Sequence, residues 1–164
     1  ERSLDRWGRD FYERIGVSFE LPNHYIKLTA EENLRFFSSF YKRGNDHIPG
    51  LLKSVGLDQE EDLKKPVSEF SKGMKMRLNF IRALLHDPDV FFFDEPTSYL
   101  DIKQRINVSK FIRSLANEET AVMVVEHDLI ILDYMTDMIH ILYGKPAAYG
   151  IVSQPKATKN GIKI

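Results

Sequence analysis

Val90-Phe91-Phe92-Phe93-Asp94-Glu95-Pro96-Thr97 is the stretch on which the fold turns. A continuous apolar run, rather than an alternating one, is the pattern of a strand buried on both faces of a parallel sheet. Two adjacent carboxylates follow at its carboxyl end, where open α/β sheets bind ligands, and neighbouring strand residues point to opposite sides. One acid can therefore face a metal ion while the other faces a water molecule. The plain alternative is a strand that ends in two solvated acids before a proline turn.

Upstream of this strand, Ser71 is placed to cap a long amphipathic helix running to about Leu85, with Leu78, Ile81, Leu84 and Leu85 on one face, and His86-Asp87-Pro88 stops it. The opening Phe70-Ser71-Lys72-Gly73-Met74 leaves amides at a positive helix end, a place suited to a phosphate, although most such starts are only caps. Earlier still, aromatics and charges over Glu1 to Arg14 predict a helix leading into a strand at Ile15 to Phe19. Thr29 with Glu32 forms a capping-box signature for a helix to about Arg43. Ile48 to Val55 predicts a second helix closed by Gly56, and the charged run Gln59 to Lys65 reads as a solvated surface.

Downstream, Ser98-Tyr99-Leu100-Asp101 follows the two acids directly. The spacing then predicts a helix over Ile102 to Ala116, a strand over Ala121 to Val125, a helix over Leu129 to Met135, and strands over Met138 to Tyr143 and Tyr149 to Val152. His127 falls just past the first of those strands, where an isolated histidine is more often a structural cap than a catalytic group. Strands and helices alternate, so the fold class is α/β with a mostly parallel sheet.

Composition narrows the partners. The chain has 164 residues, 43% of them hydrophobic, enough for one good core. Lys and Arg number 23 against 24 Asp and Glu, a net charge of -1, which gives no global field for nucleic acid or an anionic surface. The absence of cysteine excludes disulfides and thiolate metal sites. The longest apolar runs are too short to span a bilayer, so any work at a membrane passes through a partner and not through direct insertion. Without an initiator Met the chain reads as cut from something longer.

The order of these motifs resembles the ATP-binding-cassette family. Phe70 to Met74 is similar to its signature motif, Val90 to Glu95 to Walker B with the following glutamate, Ser98 to Asp101 to the D-loop, His127 to the switch histidine, and Ile15 to Leu28 to the strand and Q-loop. The resemblance implies a P-loop NTPase-like partial cassette with a helical signature subdomain, using ATP and Mg²⁺. It implies that Asp94 helps hold Mg²⁺ through water, that Glu95 is the general base, and that His127 senses the γ-phosphate. Ser71, Lys72 and Gly73 would meet the γ-phosphate on a partner, and Asp101 would organise the opposing site, in a head-to-tail pair of cassettes.

Three departures qualify the resemblance. No Gly-x-x-x-x-Gly-Lys-Ser/Thr occurs in the chain, since Gly44 to Ser54 has its glycines and Lys-Ser at the wrong spacing around Pro49. The chain is therefore not expected to hydrolyse ATP alone. Glu20 stands where the Q-loop glutamine is usual, and a carboxylate cannot donate as an amide does, though it can still ligate a metal. Lys72 and Met74 replace the commoner glycine and glutamine, and the Lys72 side chain would crowd a close approach.

The two halves resemble different branches. Phe19 to Tyr41 is similar to bacterial exporter ATPases, while Ser98 to Arg105, Val124 to Tyr134 and Leu142 to Ser153 are similar to the RNase L inhibitor family of ribosome-recycling twin cassettes. A chimera joined near Pro96 to Leu100 would account for the difference. The expected division is 1–28 for the N-terminal segment, 29–87 for the helical subdomain and 88–164 for the α/β core portion. The expected function is the ATPase part of a membrane exporter, cytoplasmic or peripheral at the inner face of the cell membrane, partnered by a second cassette and a transmembrane permease. The alternatives are a cassette acting on the ribosome and a catalytically incomplete engineered fragment.

Overall fold

The computed structural model describes residues 8–158. These residues form two units divided between Val125 and Glu126.

In the first unit a 3₁₀ turn, Arg9–Arg14, replaces the helix predicted there, whose first residues lie outside those described. It leads into β1 (Ile15–Ser18). Three helices follow, α1 (Ala30–Ser38), α2 (Ile48–Ser54) and α3 (Glu60–Lys64), then α4 (Lys72–Arg82). The unit closes with β2 (Val90–Asp94), α5 (Ile102–Leu115) and β3 (Ala121–Val125). The strands make one parallel sheet in the order β1-β2-β3, with Ser18 beside Phe93 and Asp94 beside Val125. The α/β class with a parallel sheet is the observed one.

Local chemistry explains most boundaries. Both bonds of the Thr29 capping box are present: the Glu32 amide donates to Thr29 Oγ1 at 3.2 Å, and the Thr29 amide donates to Glu32 Oε2 at 2.8 Å. The helix stops at Ser38, short of the predicted Arg43, because Phe40 and Tyr41 donate three residues back, to Phe37 and Ser38, and turn the chain. Gly56 has φ +65° just past α2, where its amide bonds the Lys53 carbonyl and the Leu57 amide bonds Leu52 at 2.9 Å. The charged run at 59–65 contains α3, buries nothing, and pairs Lys64 with Glu60 and Lys65 with Asp62. α4 begins at its Ser71 cap and ends at Arg82, three residues before the predicted Leu85, in a turn over Ala83 and Leu84.

The core lies between the helices and one face of the sheet. Phe80 of α4 meets Phe93 of β2 with ring centroids 4.8 Å apart, and Phe111 of α5 meets Phe80 edge-on at 5.7 Å. Leu34, Ile48, Leu57, Leu78, Ile81 and Leu85 are fully buried around them. The expectation that β2 is covered on both faces is corrected. Phe91 and Phe93 are buried, but Phe92 is 37% exposed, beside Val17 at 37% and Met123 at 57%. These three stand in register across the sheet, so its second face presents an open apolar row.

The second unit contains α6 (Leu129–Met135) and four short strands, β4 (Met138–Ile139), β5 (Leu142–Lys145), β6 (Tyr149–Val152) and β7 (Lys156–Ala157). β4 pairs with β7 and β5 with β6, both antiparallel. The single strand predicted over Met138 to Tyr143 is thus two strands. Between them Ser153 takes over the pairing, its Oγ accepting from the Ile141 amide at 2.9 Å and its amide bonding the Ile141 carbonyl at 2.9 Å.

Candidate functional site

Parallel pairing brings the ends of all three strands of the first unit to one edge. β1 ends at Ser18 beside Phe93, Glu20 follows two residues later, and Asp94 closes β2 beside Val125. This is the carboxyl edge, where open α/β sheets take ligands. Asp94 and Glu95 are each half-buried there.

Glu95 is held firmly. Its backbone is left-handed, φ +46°, which is uncommon for a residue with a side chain and fixes the direction in which the carboxylate leaves the strand. The Glu95 amide bonds the Val125 carbonyl at 2.9 Å, the Ser98 amide bonds the Glu95 carbonyl at 3.1 Å, and Ser98 Oγ donates to Glu95 Oε2 at 2.8 Å. Ser98 belongs to a motif that the sequence singles out, but the local pattern does not predict its bond to the acid. A hydroxyl three residues after a glutamate in a turn is the available signal.

The start of α4 packs on the turn after the acids. Ser71 Oγ accepts from the Met74 amide at 3.2 Å, the cap expected of it. Gly73 is buried, and a Cβ there would lie 3.1 Å from the Tyr99 carbonyl oxygen and 3.3 Å from Leu100 Cδ2. Close approach, then, is what this glycine permits. Lys72 does not point into that contact: it is exposed, with Nζ 5.1 Å from the centre of the Tyr99 ring, a cation–π geometry. Asp101 is the N-cap of α5, with Oδ1 accepting from the Gln104 amide at 2.9 Å. The first unit thus gathers Ser71, Lys72 and Gly73 with the 98–101 turn, and that turn with Glu95.

His127 lies in the second unit, exposed, its amide donating to Glu126 Oε1 at 3.1 Å, one residue before Asp128 caps α6. Glu20 is half-buried in the irregular segment after β1. Next to it, Asn79 donates to the Phe19 carbonyl at 2.7 Å, and His24 is buried enough that its pKa falls to about 4.

Among the described residues no group of three or more His, Asp or Glu could hold a metal ion unaided. A magnesium ion that arrives on phosphates and keeps its waters needs only one or two carboxylates, and Asp94 at the carboxyl edge suits that mode. No helix among the described residues is long and apolar enough to cross a membrane.

The ABC transporter family profile matches residues 2–98. The Fluoroquinolones export ATP-binding protein of Mycobacterium tuberculosis is 46% identical over 133 residues, 81% of this chain and 44% of that protein. The solved structure of an RNase-L Inhibitor superposes with TM-score 0.75 at 38% identity, covering 94% of this chain and 29% of that one. The dimeric structure of a bacterial ABC transporter cassette superposes with TM-score 0.72 at 26% identity, covering 84% and 64%. The chain spans less than half the length of the exporter relative.

Proposed function

The chain belongs to the ABC transporter family, and from that premise we propose that it is the catalytic part of an ATP-hydrolysing cassette that energises export across a membrane. Bound Mg-ATP supplies the phosphoryl group and the charge that neutralises it. Asp94 would hold the ion, with Glu20 a second carboxylate available to it. Glu95 takes the proton from the attacking water at its carboxylate, which Ser98 orients. His127 contacts the γ-phosphate. Ser71, Lys72 and Gly73 offer a hydroxyl, a cation and amides to the nucleotide of a second cassette, whose site Asp101 organises, so that the working unit is a head-to-tail pair.

The observation that carries the export reading is an aromatic patch in the first unit. Tyr25 packs edge-on against Phe36 with centroids 4.6 Å apart, Phe36 against Phe40 at 5.3 Å, and Phe36 against Phe37 at 5.5 Å. Phe40 is nonetheless 67% exposed, and Leu21 and Ile26 lie bare nearby in sequence. Clustered exposed aromatics mark protein interfaces. Phe36, Phe37 and Phe40 of the patch lie in the segment 29–87 proposed as the helical subdomain, Tyr25 comes from the segment just before it, and the partner of the patch is a transmembrane permease at the inner face of a membrane. The 46% identity to an export protein supports the same reading.

A second reading, a cassette acting on the ribosome, is favoured by α5. That helix carries Lys103, Arg105, Lys110 and Arg113 and no acid in 14 residues, a local field suited to phosphates in a chain of net charge -1. Co-purification separates the two readings. Recovery with ribosomal subunits at physiological salt overturns export, and recovery with an integral membrane protein overturns the ribosomal role.

The 164 residues contain no phosphate-cradling Gly-x-x-x-x-Gly-Lys-Ser/Thr, and we propose that they do not turn over ATP alone. Calorimetry with Mg-ATP, with and without a polypeptide supplying such a loop, tests this. Binding only with the supplement is expected, and tight binding without it overturns the assignment of the phosphate site. In the supplemented cassette Glu95→Gln abolishes turnover while keeping ATP-dependent pairing. Undiminished turnover overturns the role of Glu95 as base.

A further inference from the structure

We infer that Asn79, Arg82 and His24 form a clamp that fastens the segment carrying Glu20 to helix α4, so that this segment and the helix opened by Ser71 move as one body. The segment from Phe19 to Leu28 has no helix or strand of its own, so its backbone groups must find partners elsewhere. Asn33 of α1 and the amides of Val67 and Ser68 hold its second part, over Tyr25 to Leu28, and α4 holds its first part, around Glu20, from one stripe. Lys75, Asn79 and Arg82 stand at i, i+4 and i+7, a single helix face.

Asn79 is fully buried and uses both ends of its amide. Nδ2 donates to Ser18 Oγ at 3.0 Å and to the Phe19 carbonyl at 2.7 Å, while Oδ1 accepts from Arg82 Nη2 at 2.8 Å. Arg82 Nη1 donates to the Asn23 carbonyl, and its guanidinium lies 4.5 Å from the centre of the Phe37 ring. His24 Nε2 donates to the Lys75 carbonyl at 3.0 Å. The segment is therefore held just before Glu20 and again three and four residues after it. Four polar contacts from one helix face onto one short stretch exceed what filling a core requires, because apolar residues of the same size would fill it without partners.

Glu20 lies between these anchors at the carboxyl edge shared with Asp94, so Asn79 and Arg82 are positioning residues for it. The catalytic consequence rests on the proposed ATPase reading, but the clamp itself does not.

Amide hydrogen exchange on the 164-residue chain tests the clamp directly. Asn79→Ala removes the bonds to Ser18 and Phe19 and the acceptor for Arg82. Asn79→Asp keeps that acceptor and removes only the two donors. Both variants are expected to raise exchange in residues 19–25 by about tenfold or more, with α1 amides unchanged. Arg82→Lys, which keeps the charge but loses the fork, raises exchange near Asn23 alone. Unchanged exchange over 19–25, or a uniform rise across the unit, overturns the clamp.

In the cassette completed with a phosphate loop, Asn79→Asp should raise the Mg²⁺ concentration for half-maximal turnover several-fold at near-normal kcat. A wild-type cassette without turnover would refute the ATPase reading and leave the exchange result standing. Loosened exchange with an unchanged Mg²⁺ dependence would overturn the positioning of Glu20.

Discussion

At the scale of single residues, the half-buried Glu95 matters through the hydroxyl that aims it. Ser98→Ala removes the 2.8 Å bond to Oε2 and leaves the two backbone bonds of the turn, so the acid keeps its place but loses its orientation. Denaturant unfolding should show a loss of about 1 kcal/mol, as for one hydrogen bond, whereas turnover in a completed cassette should fall with little change in KM. His24 gives a second handle. Burial first, then the cations Arg82 and Lys75 of α4, pull its pKa from 6.5 to about 4 against the pull of its bond to the Lys75 carbonyl. The unfolded chain thus binds this proton more readily than the folded one. Above pH 6.5 the group costs nothing, and stability is lost as pH falls from 6.5 toward about 4. His86 is lowered in the same direction, also chiefly by burial, so the comparison needed is wild type against His24→Gln. The variant should show a shallower acid-side decline in melting temperature, and identical slopes would remove His24 from the account.

At the scale of elements, caps are what the sequence states most openly. Thr29→Ala removes the hydroxyl half of the capping box on α1, leaving the residue 29 amide on Glu32, and should cost about 1 kcal/mol in equilibrium unfolding, while Thr29→Ser should recover most of it. The same logic made Ser71, the stop at Gly56 and the α/β alternation legible, because each depends on residues within four positions of one another. What could not be read depends on distant partners. Asn79 and Arg82 look like ordinary polar positions of an amphipathic helix until the carbonyls of Phe19 and Asn23, some sixty residues earlier, are seen to lie against them. Nor does a run of phenylalanines tell which faces will be covered: Phe91 and Phe93 are buried in the core, whereas Phe92 is left partly exposed in register with Val17 and Met123. Ser153 splitting the predicted strand at Ile141 belongs to the same class. Of the candidate site, the acids and the helix cap were legible from local pattern, and their supporting hydroxyl and clamp were not.

At the scale of the whole molecule, the open row of Val17, Phe92 and Met123 sets how the chain behaves in solution. Parallel sheets are ordinarily covered on both faces, and here one face presents apolar side chains from three adjacent strands in register. With a net charge of -1 there is little repulsion between molecules to oppose contact through that face. The 164-residue chain should therefore self-associate as its concentration rises. Met123 is the most exposed of the three and stands on an outer strand of the three-stranded sheet, so a cation there can reach water without entering the core. Met123→Lys should shift light scattering toward the monomer with no loss of melting temperature, whereas Phe91→Lys, on the buried face, should unfold the unit. If Met123→Lys scatters as strongly as wild type, association runs through other exposed side chains, and the β5–β6 hairpin with Leu142, Tyr143 and Val152 bare becomes the surface to change next.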